Sequence, residues 1–170
     1  AMEIKRTTPS DMEILRTLWM KAVRFQQEGG YPVWPDFPEG LIFREMDQGL
    51  NFKLVAGNRI LCYFSISMND PIIWGERDNN DAIYIHRGVT APEYRGLGLT
   101  RFVFEWARVK AKLLGRKYIR IDTWGSNKHL IDYYVRAGFK LIGYRLMGED
   151  PELMEHYRNL NLALFETEVD

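Results

Sequence analysis

One short segment, residues 90–100 with the sequence TAPEYRGLGLT, constrains the fold more than any other part of the chain. The residues before it alternate in a β pattern, and residues 101–114 after it repeat with a helical period. Gly96 and Gly98 permit tight backbone turns, so that successive N–H groups can point at one anion. A strand, a glycine-rich loop and a helix N-terminus in this order predict a pyrophosphate-binding loop in a mixed α/β fold.

The residues around the glycines narrow the choice of pyrophosphate ligand. An ATP-binding Walker loop ends in Gly-Lys-Ser/Thr, and Gly98-Leu99-Thr100 has no lysine. A dinucleotide-binding loop needs a third small residue where this chain has Arg101, which is too large for close packing of a helix on a sheet. The pattern that remains is an arginine, two residues, a glycine, one residue and a small residue.

Residues 95–100 resemble the acyl-CoA loop of the GNAT superfamily of N-acetyltransferases, Gln/Arg-x-x-Gly-x-Gly/Ala. Thr100 departs from this pattern, because a β-branched hydroxyl replaces Gly or Ala beside a phosphate. A second signature of the superfamily, Asn followed by Tyr-x-x-x-Gly-Phe, is similar to the residues at Asn127, Tyr134, Gly138 and Phe139. The two signatures stand in the family's order, and the resemblance extends over residues 82–145.

The resemblance implies a single GNAT domain over residues 2–170, built on a mixed, mostly antiparallel sheet of about seven strands flanked by helices. Strands four and five of that fold splay apart, and the pantetheine arm of acetyl-CoA lies between them. The implied activity is that of an acetyl-CoA-dependent N-acyltransferase. The implied coenzyme A ligands are Gly88, Val89, Thr90, Arg95, Gly96, Leu97, Gly98, Leu99, Thr100, Arg101 and Asn127.

Two side chains are candidates for proton transfer. By resemblance Tyr134 is the general acid that donates to the departing sulfur, although a packed aromatic on a helix would also explain it. His86 is the candidate general base, with Tyr84 and Glu28 as alternatives, and a structural histidine in a half-buried strand is the competing interpretation. Asn127 either contacts the cofactor or caps its helix.

The acceptor is predicted to bind near the end of the first helix. Glu28, Tyr31 and Trp34 combine a carboxylate with aromatic faces, and both attract ammonium groups. A primary amine of a small molecule, amino acid or peptide is therefore the expected acceptor. The alternative is that the aromatic residues of the Pro-rich stretch 31–38 fill the core.

Charge and composition exclude several function classes. Residues 86–145 hold 13 Lys/Arg against 4 Asp/Glu, yet they carry no nucleic-acid-binding signature, so a solvated helix face and a polyanionic cofactor explain the charge. No apolar run approaches the roughly 20 residues of a membrane span, and no signal segment or metal site is assigned. We expect a cytoplasmic protein without membrane or nucleic-acid partners. The single Cys62 lies in an apolar run, which predicts a buried thiol.

Hydrophobic periodicity predicts the elements of the chain. A capping box at residues 10–13 is expected to open the first helix, whose inner face includes Leu15, Trp19 and Phe25. The apolar alternation of the last strand predicts an edge that could pair in a homodimer. The alternative to the predicted N-acyltransferase is a protein that binds acyl-CoA as a sensor or regulatory module and catalyses no transfer. The predicted helices cover 11–28, 39–48, the segment that follows the loop as far as 114, 126–137 and a turn from Pro151. The predicted strands cover 2–7, 52–57, 59–68, 82–90, 117–124, 139–147 and 159–168.

Overall fold

The computed structural model describes residues 1–149, 151–152 and 159–170. The strands in this part of the chain are β1 (Met2–Arg6), β2 (Asn51–Ala56), β3 (Arg59–Ser67), β4 (Ala82–Thr90), β5 (Tyr118–Trp124), β6 (Lys140–Leu146) and β7 (Asn161–Glu168). The helices are α1 (Met12–Gly29), α2 (Glu39–Gln48), α3 (Pro71–Trp74), α4 (Leu99–Leu113) and α5 (Lys128–Arg136). Most of the helical turn predicted from Pro151 lies outside the described residues.

The seven strands form one sheet in the order β1-β2-β3-β4-β5-β7-β6. Strands β4 and β5 are parallel, whereas β1 with β2, β2 with β3, β5 with β7 and β6 with β7 are antiparallel. This confirms the mixed, mostly antiparallel sheet expected from the sequence. Among the described residues no helix is both long enough and apolar enough to cross a bilayer.

The chain divides into two compact units, and the prediction of a single domain stays a prediction. The first unit contains residues 1–66 and 86–106, and the second contains residues 67–85 and 107–170. Strand β4 gives its first half to the second unit and its second half to the first unit. Each unit has a hydrophobic cluster of its own.

The core of the first unit forms where α1 packs with β3 and β4. Leu15 and Trp19 on α1 are completely buried, since apolar residues three and four apart share one helix face. Burial of each such side chain contributes about 2 kcal/mol. The Tyr63 hydroxyl on β3 donates to the Leu15 carbonyl at 2.9 Å, which ties the sheet to the helix. Phe25, which the helical period assigns to the same face, is instead 47% exposed.

Arg120 organises the core of the second unit. Its guanidinium carbon lies 5.0 Å from the ring centroid of Trp74 and 5.1 Å from that of Tyr118. It donates to Glu166 at 2.8 Å and to the Tyr84 hydroxyl at 2.9 Å. A buried guanidinium requires such partners, because its transfer out of water is costly without them.

Three local predictions need correction. The capping box is formed by Thr8 and Asp11, not by residues 10–13, and the Thr8 N–H donates to the Asp11 carboxylate at 2.9 Å. The short helix α3 follows Asp70 and was not predicted, because Pro71 at its first position is also compatible with a loop. Strand β7 lies between β5 and β6, so the edge argument for a homodimer does not apply to it.

The thiol of Cys62 on β3 is buried, and burial raises its pKa from 9.0 to about 12 because a thiolate there would lose its hydration. We expect Cys62 not to react with an aromatic disulfide reagent at pH 8 in the folded protein and to react completely after denaturation. The reaction is measured by the absorbance of the thiolate that the reagent releases. The stability contribution of the neutral thiol is full below pH 9 and is lost as the pH rises toward 12. Rapid labelling of the folded protein at pH 8 would contradict this assignment.

Candidate functional site

The predicted phosphate loop lies between β4 and α4 in the first unit. A short 3₁₀ turn at Pro92–Tyr94 brings the chain to Arg95, and α4 begins directly after Gly98. Gly96 has a φ of +79° and Gly98 a φ of +75°, in the left-handed region that favours glycine. A Cβ atom added at either position would meet no atom within 4 Å. The glycines are therefore required by the backbone conformation, and the space above the loop is open for a ligand.

The N-terminus of α4 gives this loop its electrostatic character. The first N–H groups of a helix have no intrahelical acceptor and carry the positive end of the helix dipole. The first turn of α4 contains no acidic residue. Thr100 is half-buried in that turn and Arg101 is exposed beside it. Backbone donors and adjacent cationic side chains are what a pyrophosphate requires.

Arg95 contacts the end of α1. Its guanidinium carbon lies 4.0 Å from the ring centroid of Phe25, a cation–π contact. The Phe25 ring in turn stacks with Tyr31 at 6.3 Å. Phe25 was not predicted as a site residue, because its position in the helical period indicated a place in the core. The structure thus joins the predicted cofactor loop to one of the predicted acceptor residues.

The three residues predicted to bind the acceptor have different surroundings. Glu28 is exposed on the last turn of α1, and Tyr31 is 37% exposed just beyond it. Trp34 stacks on Trp19 with ring centroids 4.5 Å apart, and its N–H donates to the Gln26 side chain at 2.8 Å. Trp34 therefore packs against the core cluster, as the alternative interpretation of the Pro-rich stretch expected.

The second half of β4 carries His86 and three of the predicted coenzyme A ligands, Gly88, Val89 and Thr90. The parallel register of β4 with β5 covers Ala82–Tyr84, and residues 88–90 lie beyond it. Val89 is buried, whereas Gly88 is exposed and Thr90 half-buried. The Ser65 hydroxyl on β3 lies 3.4 Å from the His86 carbonyl and donates to it. Next to His86, Arg87 has a φ of +51°, so the alternation of faces along β4 is interrupted there.

Tyr84 does not suit the role of general base that was considered for it. Its ring is buried, and its hydroxyl donates to Asp78 at 2.8 Å and accepts from Arg120. Burial, with the hydrogen bond to Asp78, raises the pKa of the Tyr84 phenol above its ordinary value. The phenol therefore stays neutral and serves the core of the second unit.

Tyr134 lies on α5 in the second unit, enclosed by other aromatic rings. Its ring is edge-on to Phe165 at 5.3 Å and to Phe139 at 6.2 Å. Burial, followed by the nearby Asp122 carboxylate and Tyr133, raises the pKa of the Tyr134 phenol above its ordinary value of 10.0. The phenol is consequently protonated at neutral pH, as a general acid must be before it donates.

The other residues of the second signature hold Tyr134 in place. The Asn127 carboxamide oxygen accepts from the Leu130 N–H at 3.1 Å and so caps α5. Gly138 has a φ of +103° just after the helix, which lets Phe139 turn back against the Tyr134 ring. The helix-cap interpretation of Asn127 is confirmed, and its role as a cofactor ligand would use the remaining amide N–H groups.

Known proteins resemble the chain in sequence and in structure. It is 28% identical over 74 residues to the uncharacterized N-acetyltransferase YesJ of Bacillus subtilis (strain 168), and this match spans 44% of the chain but only 41% of that protein. A GNAT-family acetyltransferase from Listeria monocytogenes superposes with a TM-score of 0.76 at 20% identity, over 98% of this chain and 94% of that one. The yncA protein of Salmonella typhimurium, solved with its cofactor acetyl-CoA, has a TM-score of 0.69 at 16% identity, over 100% and 95% of the two chains.

A match to a family model shows to which protein family the chain belongs. The model described as the Acetyltransferase (GNAT) family matches residues 14–139, which is well over half of the chain. Acetyl-CoA is the cofactor of this family, in agreement with the loop at residues 95–100. The structural neighbours have the same mixed α/β fold. The chain therefore belongs to the GNAT family of acetyltransferases.

Proposed function

We propose that this protein is an N-acetyltransferase that moves the acetyl group of acetyl-CoA directly to a primary amine of a small molecule, amino acid or peptide. The observation that carries the proposal is the loop of residues 95–100. Two left-handed glycines directly before α4 leave its backbone open on the ligand side. The protonated phenol of Tyr134 supports turnover rather than binding alone.

In this proposal the cofactor is held mainly by backbone groups. The pyrophosphate accepts hydrogen bonds from the N–H groups of residues 96–100, and Arg95 and Arg101 add positive charge. The pantetheine amides pair with the backbone of residues 88–90, as an extended ligand pairs with a strand. Both modes need open main-chain groups more than particular side chains, which explains why Thr100 is tolerated where Gly or Ala is usual.

The reaction forms one C–N bond and breaks one C–S bond. The neutral amine attacks the thioester carbonyl, and the tetrahedral intermediate collapses with departure of the coenzyme A thiolate. Tyr134 donates its phenolic proton to that sulfur, and the proton that the nitrogen loses as the amide forms restores the phenol directly or through solvent. Positioning of the two reactants supplies much of the rate enhancement.

A base is needed because an alkyl ammonium group has a pKa of roughly 10.4 and is protonated at neutral pH. We assign this role to His86, directly or through a water molecule. Its position on β4, two residues before Gly88, places it next to the strand segment proposed to hold pantetheine. A neutral imidazole has a ring nitrogen that can accept the proton and return it to solvent.

We assign recognition of the acceptor ammonium to Glu28 and Tyr31 at the end of α1. Glu28 offers an exposed carboxylate and Tyr31 a partly exposed aromatic ring. Trp34, which packs on Trp19, supports the segment that follows α1 rather than touching the acceptor. The cytoplasmic location and the homodimer stay predictions.

The proposal is tested by calorimetric titration of acetyl-CoA and coenzyme A, followed by thiol-release assays with a panel of amines, amino acids and peptides. Binding with turnover on one class of amine supports the enzyme and identifies its acceptor. Binding without turnover on any amine favours the acyl-CoA sensor. Absence of acetyl-CoA binding would reject both functions.

Phe25 gives a prediction for the cofactor loop. Phe25→Leu keeps a large apolar side chain but removes the ring under Arg95, which is worth about 0.5–1 kcal/mol at an exposed site. We expect acetyl-CoA to bind about two- to fivefold more weakly by calorimetry, since 1.4 kcal/mol corresponds to tenfold. The control is Phe43→Leu, an exposed phenylalanine on α2, for which the affinity should not change. Equal affinity of both variants would show that the contact does not position Arg95.

A further inference from the structure

A buried polar network connects α2, β2 and β3 to the middle of β4. Glu45 on α2 forms an ion pair with Arg87, and each side chain is only 9% exposed. Arg87 also donates to the Ser65 hydroxyl at 2.7 Å. Glu45 accepts from the Asn51 side chain at 3.1 Å, and Asn51 accepts from the Thr7 hydroxyl at 2.7 Å. We call these five residues the Glu45 network.

The network ends at the unusual backbone of β4. Arg87 has a φ of +51°, although a β-strand residue is normally extended and a non-glycine residue rarely adopts this conformation. Such a conformation persists only where the surrounding structure over-determines it, and it occurs preferentially at functional sites. The ion pair and the bond to Ser65 hold the Arg87 side chain from two different elements.

Stability alone is a poor explanation for this ion pair. Burying two charges costs desolvation that their attraction offsets only partly, so well-packed neutral residues are often at least as stabilising. The neighbours of Arg87 in sequence offer another reason. His86 precedes it, and the segment assigned to pantetheine begins at Gly88 directly after it.

We propose that Glu45 is a positioning residue for acetyl transfer. By holding the Arg87 guanidinium, it keeps the β4 backbone left-handed at residue 87. This conformation sets the direction of the His86 side chain and of the backbone at residues 88–90. The inference rests on the proposed function, in which His86 takes the amine proton and residues 88–90 pair with pantetheine.

Two double variants that differ by one methyl group test the proposal. One variant is Glu45→Gln/Arg87→Ala, and the other is Glu45→Gln/Arg87→Gly. Both lack the two charges of the ion pair, so neither leaves a buried charge without its partner. Alanine resists a φ of +51° without the anchor, whereas glycine adopts it readily. Both are assayed well below their unfolding temperatures, with native circular dichroism spectra, so that a difference in stability alone does not alter kcat.

We expect kcat of the alanine variant to fall about 100-fold, the effect of misplacing reacting groups by about 1 Å. The glycine variant should recover most of that loss. Scalar couplings measured by NMR at residue 87 should report a left-handed φ in the unmodified protein and the glycine variant, and an extended φ in the alanine variant. Equal kcat values in the two variants would overturn the proposal.

The NMR measurement separates this inference from the proposed function. A left-handed residue 87 in the alanine variant would show that Glu45 does not hold the backbone, whether or not the protein transfers acetyl groups. If the unmodified protein binds acetyl-CoA but acetylates no amine, the proposed function fails. The affinities of the alanine and glycine variants for acetyl-CoA are then compared by calorimetry. A Kd for acetyl-CoA that is weakened in the alanine variant and restored by glycine then supports the positioning of residues 88–90, and equal Kd values overturn it.

Discussion

Tyr134→Phe is expected to lower kcat for acetyl transfer by about 100- to 10,000-fold, the range of a positioned general acid. The affinity for acetyl-CoA should not change, because the substitution removes one oxygen and keeps the ring that packs against Phe139 and Phe165. The measurement combines thiol-release kinetics with calorimetric titration of the same preparation.

Tyr133→Phe is the matched control, since it removes the neighbouring phenol on the same helix. Its kcat should stay close to that of the unmodified protein, because the substitution keeps both aromatic rings in contact and leaves the proposed donor, the Tyr134 phenol, in place. Equal kcat values for the Tyr134→Phe variant and the unmodified protein would remove this phenol from the mechanism. The raised pKa of Tyr134 adds a second check, because the acid is protonated up to and beyond pH 10. Deprotonation of Tyr134 should therefore cause no loss of kcat below that pH.

Gly98→Ala is expected to weaken acetyl-CoA binding by at least about tenfold. An L-residue at a φ of +75° costs about 1–2 kcal/mol, and the new methyl group enters the open space above the loop. Relaxation of the loop to avoid that strain would turn its N–H groups away from the pyrophosphate. The affinity is measured by calorimetry, and thermal unfolding of the same variant reports the strain.

Gly57→Ala is the control for backbone strain alone. Gly57 turns the hairpin between β2 and β3 with a φ of +61°, and an added Cβ there also meets no atom within 4 Å. Both variants should lose comparable stability, while only Gly98→Ala should lose acetyl-CoA affinity. A Gly98→Ala variant that binds acetyl-CoA normally would contradict the phosphate loop.

The elements that the sequence predicted well are those encoded over short distances. The bounds of β4, α2 and α4 agree with the structure within about two residues, because the periodicity of all three and the glycines that follow the two helices are local signals. The same holds for the loop of residues 95–100, because Gly96 and Gly98 by themselves indicate a tightly turning backbone. Recognition of the family required two such local signatures in the right order.

The parts that the sequence did not predict depend on contacts between distant residues. Arg87 meets Glu45 across 42 positions of the chain, and the positive φ at Arg87 has no local signal, since arginine rarely adopts it. Phe25 lies on the expected helical face but outside the core, where the Arg95 guanidinium of the loop contacts its ring. Helical period cannot distinguish a residue buried in the core from one covered by a single cation.

Strand β7 is made after β6 but inserts between β6 and β5. During synthesis β6 therefore leaves the ribosome before the strand with which it pairs, and so does the facing side of β5. Their main-chain N–H and C=O groups remain open until residues 161–168 have been translated. Open strand edges are templates for pairing with other chains. A nascent chain that has passed Leu146 but not yet Asn161 is thus the species in which we expect chaperone dependence and aggregation to be greatest.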